Sequence, residues 1–365
     1  MNLLFIVSVA LVFFAYFGYP LTLLLLGKLI GKDVKRASIY PAVTFIITVH
    51  NEEKRIRDKL ENMLGIDYPK DKLQILVASD GSSDRTNQIV SEYRDSGVQL
   101  LDITGRGGKE NAQKEAIKNA TGEVLVFSDV ATMLETGGLE QIVSNFADNT
   151  VGCVSSEDRL LGRDGRPSGE GVYLRYEMWL RRLEARVSSL VGLSGSLFAA
   201  RKVVCEDFSG EMQSDFRTVL NSMKMGLRGI SDPLAVGIYQ DTADPKREWD
   251  RKVRTVLRGI TVFFSHLHLL NVFRYGLFSY QLFCHKLLRW LVPLLLIIAL
   301  VSNAALSAGS LVYAILFLLQ ILFYGLGISG LVWQELQNSN LIRVPTYVLA
   351  VNICILVAWW RYLMG

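Results

Sequence analysis

Long segments without a charged residue lie at both ends of this chain, and they constrain its fold more than any other feature. No Asp, Glu, Lys or Arg occurs in residues 1–27 or in residues 290–334. About 20 apolar residues span the core of a bilayer. The first segment therefore predicts one transmembrane helix, and the second predicts two, with a turn near residues 307–310. Residues 344–360 predict another, so that residues 290–365 hold about three.

The first segment is interpreted as a retained membrane span, with a cleaved signal peptide as the alternative. A signal peptide has a basic start and a small-residue cleavage site, whereas this chain has no Lys or Arg before Lys28 and no Ala-x-Ala site. Lys28, Lys32, Lys35 and Arg36 follow the span directly. By the positive-inside rule these residues predict that the next part of the chain is cytosolic.

Residues 266–289 are predicted to form an amphipathic region at the membrane interface. Aromatic residues alternate there with Arg274, His285, Lys286 and Arg289. Aromatic and basic side chains on one helix are typical of helices that lie in the headgroup layer. A buried helix of the soluble domain is the alternative.

Residues 28–265 are predicted to form one cytosolic α/β domain. Short apolar runs at residues 43–49, 73–78, 98–103 and 123–127 alternate with helix-period stretches, which predicts a βαβαβαβ order and a mostly parallel sheet. The net charge of +4 is too small to indicate nucleic acid binding. The four cysteines have no paired spacing, so neither a zinc site nor a disulfide framework is predicted.

Acidic residues follow three of the predicted strands. Glu52 follows the first, Asp80 the second and Asp129 the fourth. The carboxyl ends of parallel strands meet at one crevice, where open α/β sheets bind their ligands. These carboxylates predict a bound nucleotide and a metal ion.

Four motifs include these strand ends and the segment before the third predicted helix: Val43–Glu53, Val77–Thr86, Gly107–Gln113 and Phe127–Asp129. Together they resemble the motifs of family 2 glycosyltransferases with the GT-A fold. The resemblance covers about residues 40–260, including Gly192–Arg201 and Ser214–Phe216. The chain is similar to the membrane-bound branch that builds bacterial polysaccharides at the inner membrane.

The resemblance implies a role for each candidate residue. Asp215 would be the base that takes the proton of the acceptor hydroxyl, with inversion at the anomeric carbon. Glu52 and Asp80 would contact the nucleoside. Asp129 would hold the ribose, or a Mg²⁺ or Mn²⁺ ion through the diphosphate. The donor is expected to be a UDP-sugar, and the acceptor a glycan or lipid-linked glycan.

Basic residues are candidates for contacts to the diphosphate. Lys109 follows Gly107 and Gly108 at the start of a predicted helix, a position that can hold an anion. Arg251 and Arg254 lie three residues apart, on one face of a predicted helix. A solvated surface lysine is the alternative for Lys109, and anionic lipid is the alternative ligand for the two arginines.

One departure from the family pattern keeps a second function open. Ala131 stands where the family commonly has the direct metal ligand, and alanine has no oxygen to offer. The chain is predicted to be an active transferase in exopolysaccharide or cell-envelope glycan synthesis. The alternative is a catalytically lapsed relative that serves as a scaffold in a polysaccharide assembly. An oligomer or assembly partner is compatible with either function, and nucleic acid is not an expected partner.

Overall fold

The computed structural model of the protein describes residues 1–161, 171–240 and 245–365. The chain divides into two compact units. One is built on a β-sheet and comprises Leu23–Ala243 and His266–Phe278. The other is helical and comprises Met1–Thr22, Asp244–Ser265 and Ser279–Gly365.

The sheet unit contains one mixed sheet of eight strands: β1 (Val43–Val49), β2 (Leu73–Asp80), β3 (Val98–Ile103), β4 (Val124–Asp129), β5 (Met133–Leu134), β6 (Val151–Leu161), β7 (Leu197–Arg201) and β8 (Arg228–Gln240). Their order across the sheet is β3-β2-β1-β4-β7-β6-β8-β5. Strands β1 to β4 pair in parallel, as the sequence predicted, and each lies within about two residues of its predicted limits. The pairs β4–β7, β6–β7 and β5–β8 are antiparallel, and β6–β8 is parallel.

Fourteen α-helices occur in the described residues, and short 3₁₀ or π-helical turns flank several of them. They are α1 (Asn2–Phe13), α2 (Tyr19–Ile30), α3 (Ile56–Leu64), α4 (Thr86–Ser91), α5 (Lys109–Asn119), α6 (Gly138–Ser144), α7 (Gly171–Val187), α8 (Ser214–Lys224), α9 (Pro245–Phe264), α10 (Val272–Tyr275), α11 (Leu277–Leu282), α12 (Arg289–Ser307), α13 (Leu311–Val332) and α14 (Asn340–Met364).

The core of the sheet unit lies on both faces of the central strands. Nearly every residue of β1 and β4 is buried, which is typical of parallel strands covered on both sides. Phe127 on β4 stacks on Phe198 of β7 with ring centroids 4.7 Å apart. This contact joins the parallel half of the sheet to the mixed half, two residues before Asp129 at the end of β4.

Much of the helical unit consists of helices that are long and apolar enough to cross a membrane. Four such helical stretches occur in the described residues: Asn2–Ile30, Leu277–Ser307, Leu311–Val332 and Asn340–Met364. The break between α12 and α13, at residues 308–310, lies where the sequence predicted a turn. Ala15, Leu288 and Val292 pack together as a small core within this unit.

The predicted interface region, residues 266–289, does not form one continuous helix. Its first part forms a 3₁₀ turn at Leu267–Leu270 and the short α10, whose first turn is capped by Asn271 through a hydrogen bond from the Phe273 amide. Its second part, from Leu277, continues through a π-helical turn into α12. The placement of this region at a membrane interface stays a prediction.

Candidate active site

Three strand ends bring the acidic motifs to one edge of the sheet. β1 lies between β2 and β4, with Val49 opposite Ser79 and Thr48 opposite Asp129. Asp80 is the last residue of β2 and Asp129 the last of β4. The strand register therefore brings these acidic residues to the carboxyl ends of neighbouring strands, as the sequence predicted.

The Asp80 carboxylate organises the glycine loop that precedes α5. Its two oxygens accept hydrogen bonds from the Gly107 and Gly108 amides, at 2.7 and 2.8 Å, and its side chain is buried. Gly108 has φ +91°, a conformation that L-residues rarely adopt. Gly81 has no room for a Cβ, which would lie 2.7 Å from the carbonyl carbon of Gly105. Asp80 thus fixes the loop, and its predicted contact to the nucleoside stays a prediction.

Glu52 lies in the loop after β1 and forms an ion pair with Arg55, with the oxygen and nitrogen 2.6 Å apart. Its backbone amide donates to Oγ1 of Thr86, at the start of α4. Oδ1 of Asp84 accepts a hydrogen bond from the Thr86 amide at 3.0 Å. Asn51, which precedes Glu52, has φ +53°, so the loop at the end of β1 is tightly constrained.

Lys109 lies at the centre of the candidate site. Its Nζ atom is 2.5 Å from Oδ1 of Asp129 and donates to the Gly195 carbonyl oxygen at 2.8 Å. The lysine side chain is 34% exposed and the Asp129 side chain 42% exposed, so both can meet a ligand. Burial lowers the pKa of Lys109, but Asp129 and the nearby Asp215 and Glu110 carboxylates outweigh it, and the pKa is raised.

Asp215 lies in the first turn of α8, beside the Gly195 loop. Its Oδ1 accepts from the Phe216 amide at 2.7 Å, and Nε2 of Gln213 donates to its Oδ2 at 3.2 Å. A Cβ atom added to Gly195 would lie 3.1 Å from Oδ2 of Asp215. The loop that accepts a hydrogen bond from Lys109 therefore also contacts the predicted base.

Asp129 is the candidate metal ligand. Ala131 adds no donor, and no group of three His, Cys, Asp or Glu side chains arranged for a metal occurs among the described residues. Mg²⁺, however, is usually held by one or two carboxylates together with substrate phosphates. An exposed Asp129 carboxylate fits a divalent ion that it shares with a diphosphate.

Arg251 and Arg254 belong to α9 in the helical unit, and both are exposed there. The other predicted site residues lie in the sheet unit. The contact of these two arginines to the diphosphate stays a prediction.

Two features of the site were not foreseen from the sequence. Asp158 on β6 accepts hydrogen bonds from Ser194 and Ser196, at 2.6 and 2.8 Å, and so supports the loop around Gly195.

Lys59 on α3 is completely buried behind the loop that carries Asp129. Burial lowers the pKa of Lys59 to about 7, although the Asp129 carboxylate acts to raise it. A lysine among the apolar residues of the buried face of α3 was the available signal.

Comparison with known proteins agrees with this geometry. The model of the family described as glycosyl transferase family 2 matches residues 44–201. A poly-beta-1,6-N-acetyl-D-glucosamine synthase of Staphylococcus aureus (strain COL) is 28% identical over 204 residues, which are 53% of this chain and 48% of that protein. The probable glycosyltransferase YdaM of Bacillus subtilis is 24% identical over 265 residues, 67% of this chain and 63% of that protein. The matched part spans less than two thirds of either relative.

A solved structure shares the fold over nearly the whole chain. The mannosyltransferase PcManGT from Pyrobaculum calidifontis, in complex with GDP-Man and Mn²⁺, has a TM-score of 0.76 and 24% identity, and the match covers 99% of each chain. The family match and the shared fold both include the strands that carry Asp80 and Asp129. Residues 44–201 therefore match a family 2 glycosyltransferase domain, and the chain shares the GT-A fold.

Proposed function

We propose that the chain is an active, inverting glycosyltransferase. It moves a sugar from a nucleotide-sugar donor to a polysaccharide or lipid-linked acceptor at the cytosolic face of a bacterial-type inner membrane. The observation that carries the proposal is the arrangement around Lys109, which joins Asp129 to the Gly195 loop beside Asp215. We expect the diphosphate to leave, and the acceptor hydroxyl to attack, beside the Lys109 ammonium and the Asp129 and Asp215 carboxylates.

Sugar transfer from a nucleotide sugar breaks the bond between the anomeric carbon and the β-phosphate oxygen. Negative charge develops on the departing diphosphate, and the Lys109 ammonium is placed to stabilise it with a charge-assisted hydrogen bond. A divalent ion held by Asp129 would act there as a Lewis acid. Arg251 and Arg254 are proposed as further phosphate ligands, because arginine binds phosphate oxygens in a bidentate manner.

Asp215 is the proposed general base. A carboxylate can remove the acceptor proton when it lies within hydrogen-bonding reach of the hydroxyl. The new oxygen–carbon bond then forms opposite the leaving diphosphate, which inverts the anomeric configuration. Asp80 and Glu52 are proposed to contact the nucleoside, with Asp80 also holding the loop before Lys109.

The acceptor is proposed from the relatives and from the apolar helices. The Staphylococcus relative is named a poly-beta-1,6-N-acetyl-D-glucosamine synthase, which favours a glycan acceptor. A UDP-sugar is proposed as the donor on the resemblance found in the sequence. Four helical stretches long and apolar enough to span a bilayer favour a multi-pass location, with the domain of residues 28–265 at the cytosolic face. Residues 266–289 are proposed to lie at the membrane interface.

A scaffold without activity is the second candidate, and Ala131 is the observation that favours it. Membranes that contain the protein are incubated with a panel of UDP- and GDP-sugars and Mg²⁺ or Mn²⁺, and release of nucleoside diphosphate is measured. The transferase proposal predicts release by the wild type, little release by Asp215→Asn, and weaker nucleotide binding by Asp80→Ala. The scaffold predicts no release above that from membranes without the protein.

A further inference from the structure

A fully buried lysine contacts the loop that carries Asp129. Nζ of Lys59 donates to Oγ of Ser128 at 2.9 Å and to the carbonyl oxygen of Thr132. The same ammonium lies 5.2 Å from the centroid of the Phe45 ring, on β1. One buried amino group thus joins two points of the loop, one on each side of Asp129.

An apolar side chain would fill the space that Lys59 occupies. A polar group that leaves water loses solvation free energy, of which hydrogen bonds restore a part. The other buried residues on this face of α3 are Ile56, Leu60 and Met63. Lys59 therefore introduces a buried amino group where the packing of α3 requires none, and its hydrogen bonds go to the site loop.

The loop is held at several points. The Thr132 amide donates to the Asp129 carbonyl oxygen at 3.1 Å, which closes a turn. Asn62, one turn after Lys59 on α3, bonds both the amide and the carbonyl oxygen of Leu134, at 3.0 and 2.9 Å. One helix therefore fixes the segment from Ser128 to Leu134 by side-chain hydrogen bonds.

Fixing this loop has a particular consequence in this chain. Since Ala131 provides no oxygen, Asp129 is the one carboxylate of its motif that can meet a cation. A single ligand must be well placed, because catalytic and binding groups lose efficiency with small displacements. The Lys59 ammonium and the Asp129 carboxylate also attract each other, since they carry opposite charges.

We propose that Lys59 is a positioning residue, whose buried amino group holds the loop between Ser128 and Thr132 through its hydrogen bonds and thereby sets the Asp129 carboxylate for the cation and the diphosphate. The proposal rests on the proposed function, because it assumes that Asp129 meets these ligands. It assigns Lys59 no contact to the substrate.

The test uses the full-length protein in lipid nanodiscs and the variant Lys59→Met, which keeps the length of the side chain and removes its charge. Binding of Mn²⁺ in the presence of UDP or GDP is measured by electron paramagnetic resonance, together with kcat and KM for the donor. We expect about tenfold weaker Mn²⁺ binding and about tenfold lower kcat, with a KM for the donor within about threefold of the wild type.

Val98→Ala is the matched control for a loss of packing alone. Val98 is buried at the first residue of β3, at the opposite end of the parallel strands from the site. This variant is expected to lower the melting temperature and to leave Mn²⁺ binding and kcat within twofold of the wild type. If Mn²⁺ binding and kcat of Lys59→Met match those of Val98→Ala, the proposal is overturned.

Ser128→Ala gives a second test if Lys59→Met does not fold. It removes one hydrogen-bond partner of Lys59 and is expected to weaken Mn²⁺ binding about threefold, whereas unchanged binding would overturn the proposal. If the wild type binds Mn²⁺ with nucleotide and turns over, and the variants do so equally well, only the role of Lys59 is refuted. A wild type that neither binds nor turns over refutes the proposed function as well.

Discussion

Replacement of Gly195 by alanine is predicted to reduce turnover without loss of stability. The new Cβ would lie 3.1 Å from Oδ2 of Asp215, whereas ordinary contacts begin at 3.4 Å. The carboxylate must therefore move by about 0.3 Å. A displacement of about 1 Å can cost 10²-fold in rate. We expect about a fivefold lower kcat, which corresponds to about 1 kcal/mol in the activation free energy.

The backbone at Gly195 does not add to this effect. Its φ lies outside the left-handed region, so alanine adopts the same conformation, and loss of a glycine favours the folded state by about 0.4–1 kcal/mol. The carbonyl oxygen that accepts from Lys109 is also retained.

The assay for Gly195→Ala is the release of nucleoside diphosphate at saturating donor, with nucleotide affinity measured in parallel. Gly137→Ala is the matched control, because a Cβ there meets no atom within 4 Å. The reasoning fails if Gly195→Ala turns over as fast as the control, or if its lower rate follows a loss of nucleotide binding.

Three further predictions concern charge. Lys109→Met should weaken nucleoside diphosphate binding at least about tenfold by calorimetry, because it removes a charge-assisted hydrogen bond. The control Lys118→Met, at a side chain that is 58% exposed, should leave this binding unchanged. Equal nucleoside diphosphate affinities of the two variants would argue against the phosphate role of Lys109. Ala131→Asp should tighten Mn²⁺ binding by adding an oxygen ligand, and an unchanged resonance titration would contradict this. Burial would raise the pKa of Asp148, but hydrogen bonds including those from Thr150 and Arg228 outweigh it, so that the folded-state pKa is lowered. The resulting stabilisation is present above about pH 4 and is lost as the pH falls further. Asp148→Asn should therefore lower the melting temperature by about 3 °C at pH 7 and by less at pH 3, and a constant difference would refute the assignment.

The parallel half of the sheet was predictable from the sequence because each of its strands is a short apolar run. Buried parallel strands are apolar on both faces, and the helices between them keep a 3.6-residue period. Strands β5 to β8, which form the mixed half of the sheet, were not predicted. β6 and β8 carry polar residues such as Ser155, Asp158 and Asp232, whose hydrogen bonds come from distant parts of the chain. Pairings of this kind leave no local period in the sequence.

The site was predictable in its residue types but not in its contacts. The place of Asp80 and Asp129 at one edge follows from their position after parallel strands. Asp80 accepts hydrogen bonds from the glycine loop, and Lys109 donates one to Asp129. These hydrogen bonds join residues 20 to 28 positions apart, and they depend on the conformations of the loops between them. Lys59 was missed because a charged residue within a helix is usually solvated.

Transfer of a labelled sugar tests the central claim most directly. The nucleotide sugar that the wild type cleaves is supplied with a radiolabelled sugar, and the label that enters the lipid and polymer fractions is measured for the wild type and for Asp215→Asn. We predict transfer by the wild type and less than about 1% of that transfer by Asp215→Asn, at nucleotide affinities within about threefold of each other. Equal transfer by both proteins would contradict the account, as would nucleotide binding by the wild type without any transfer.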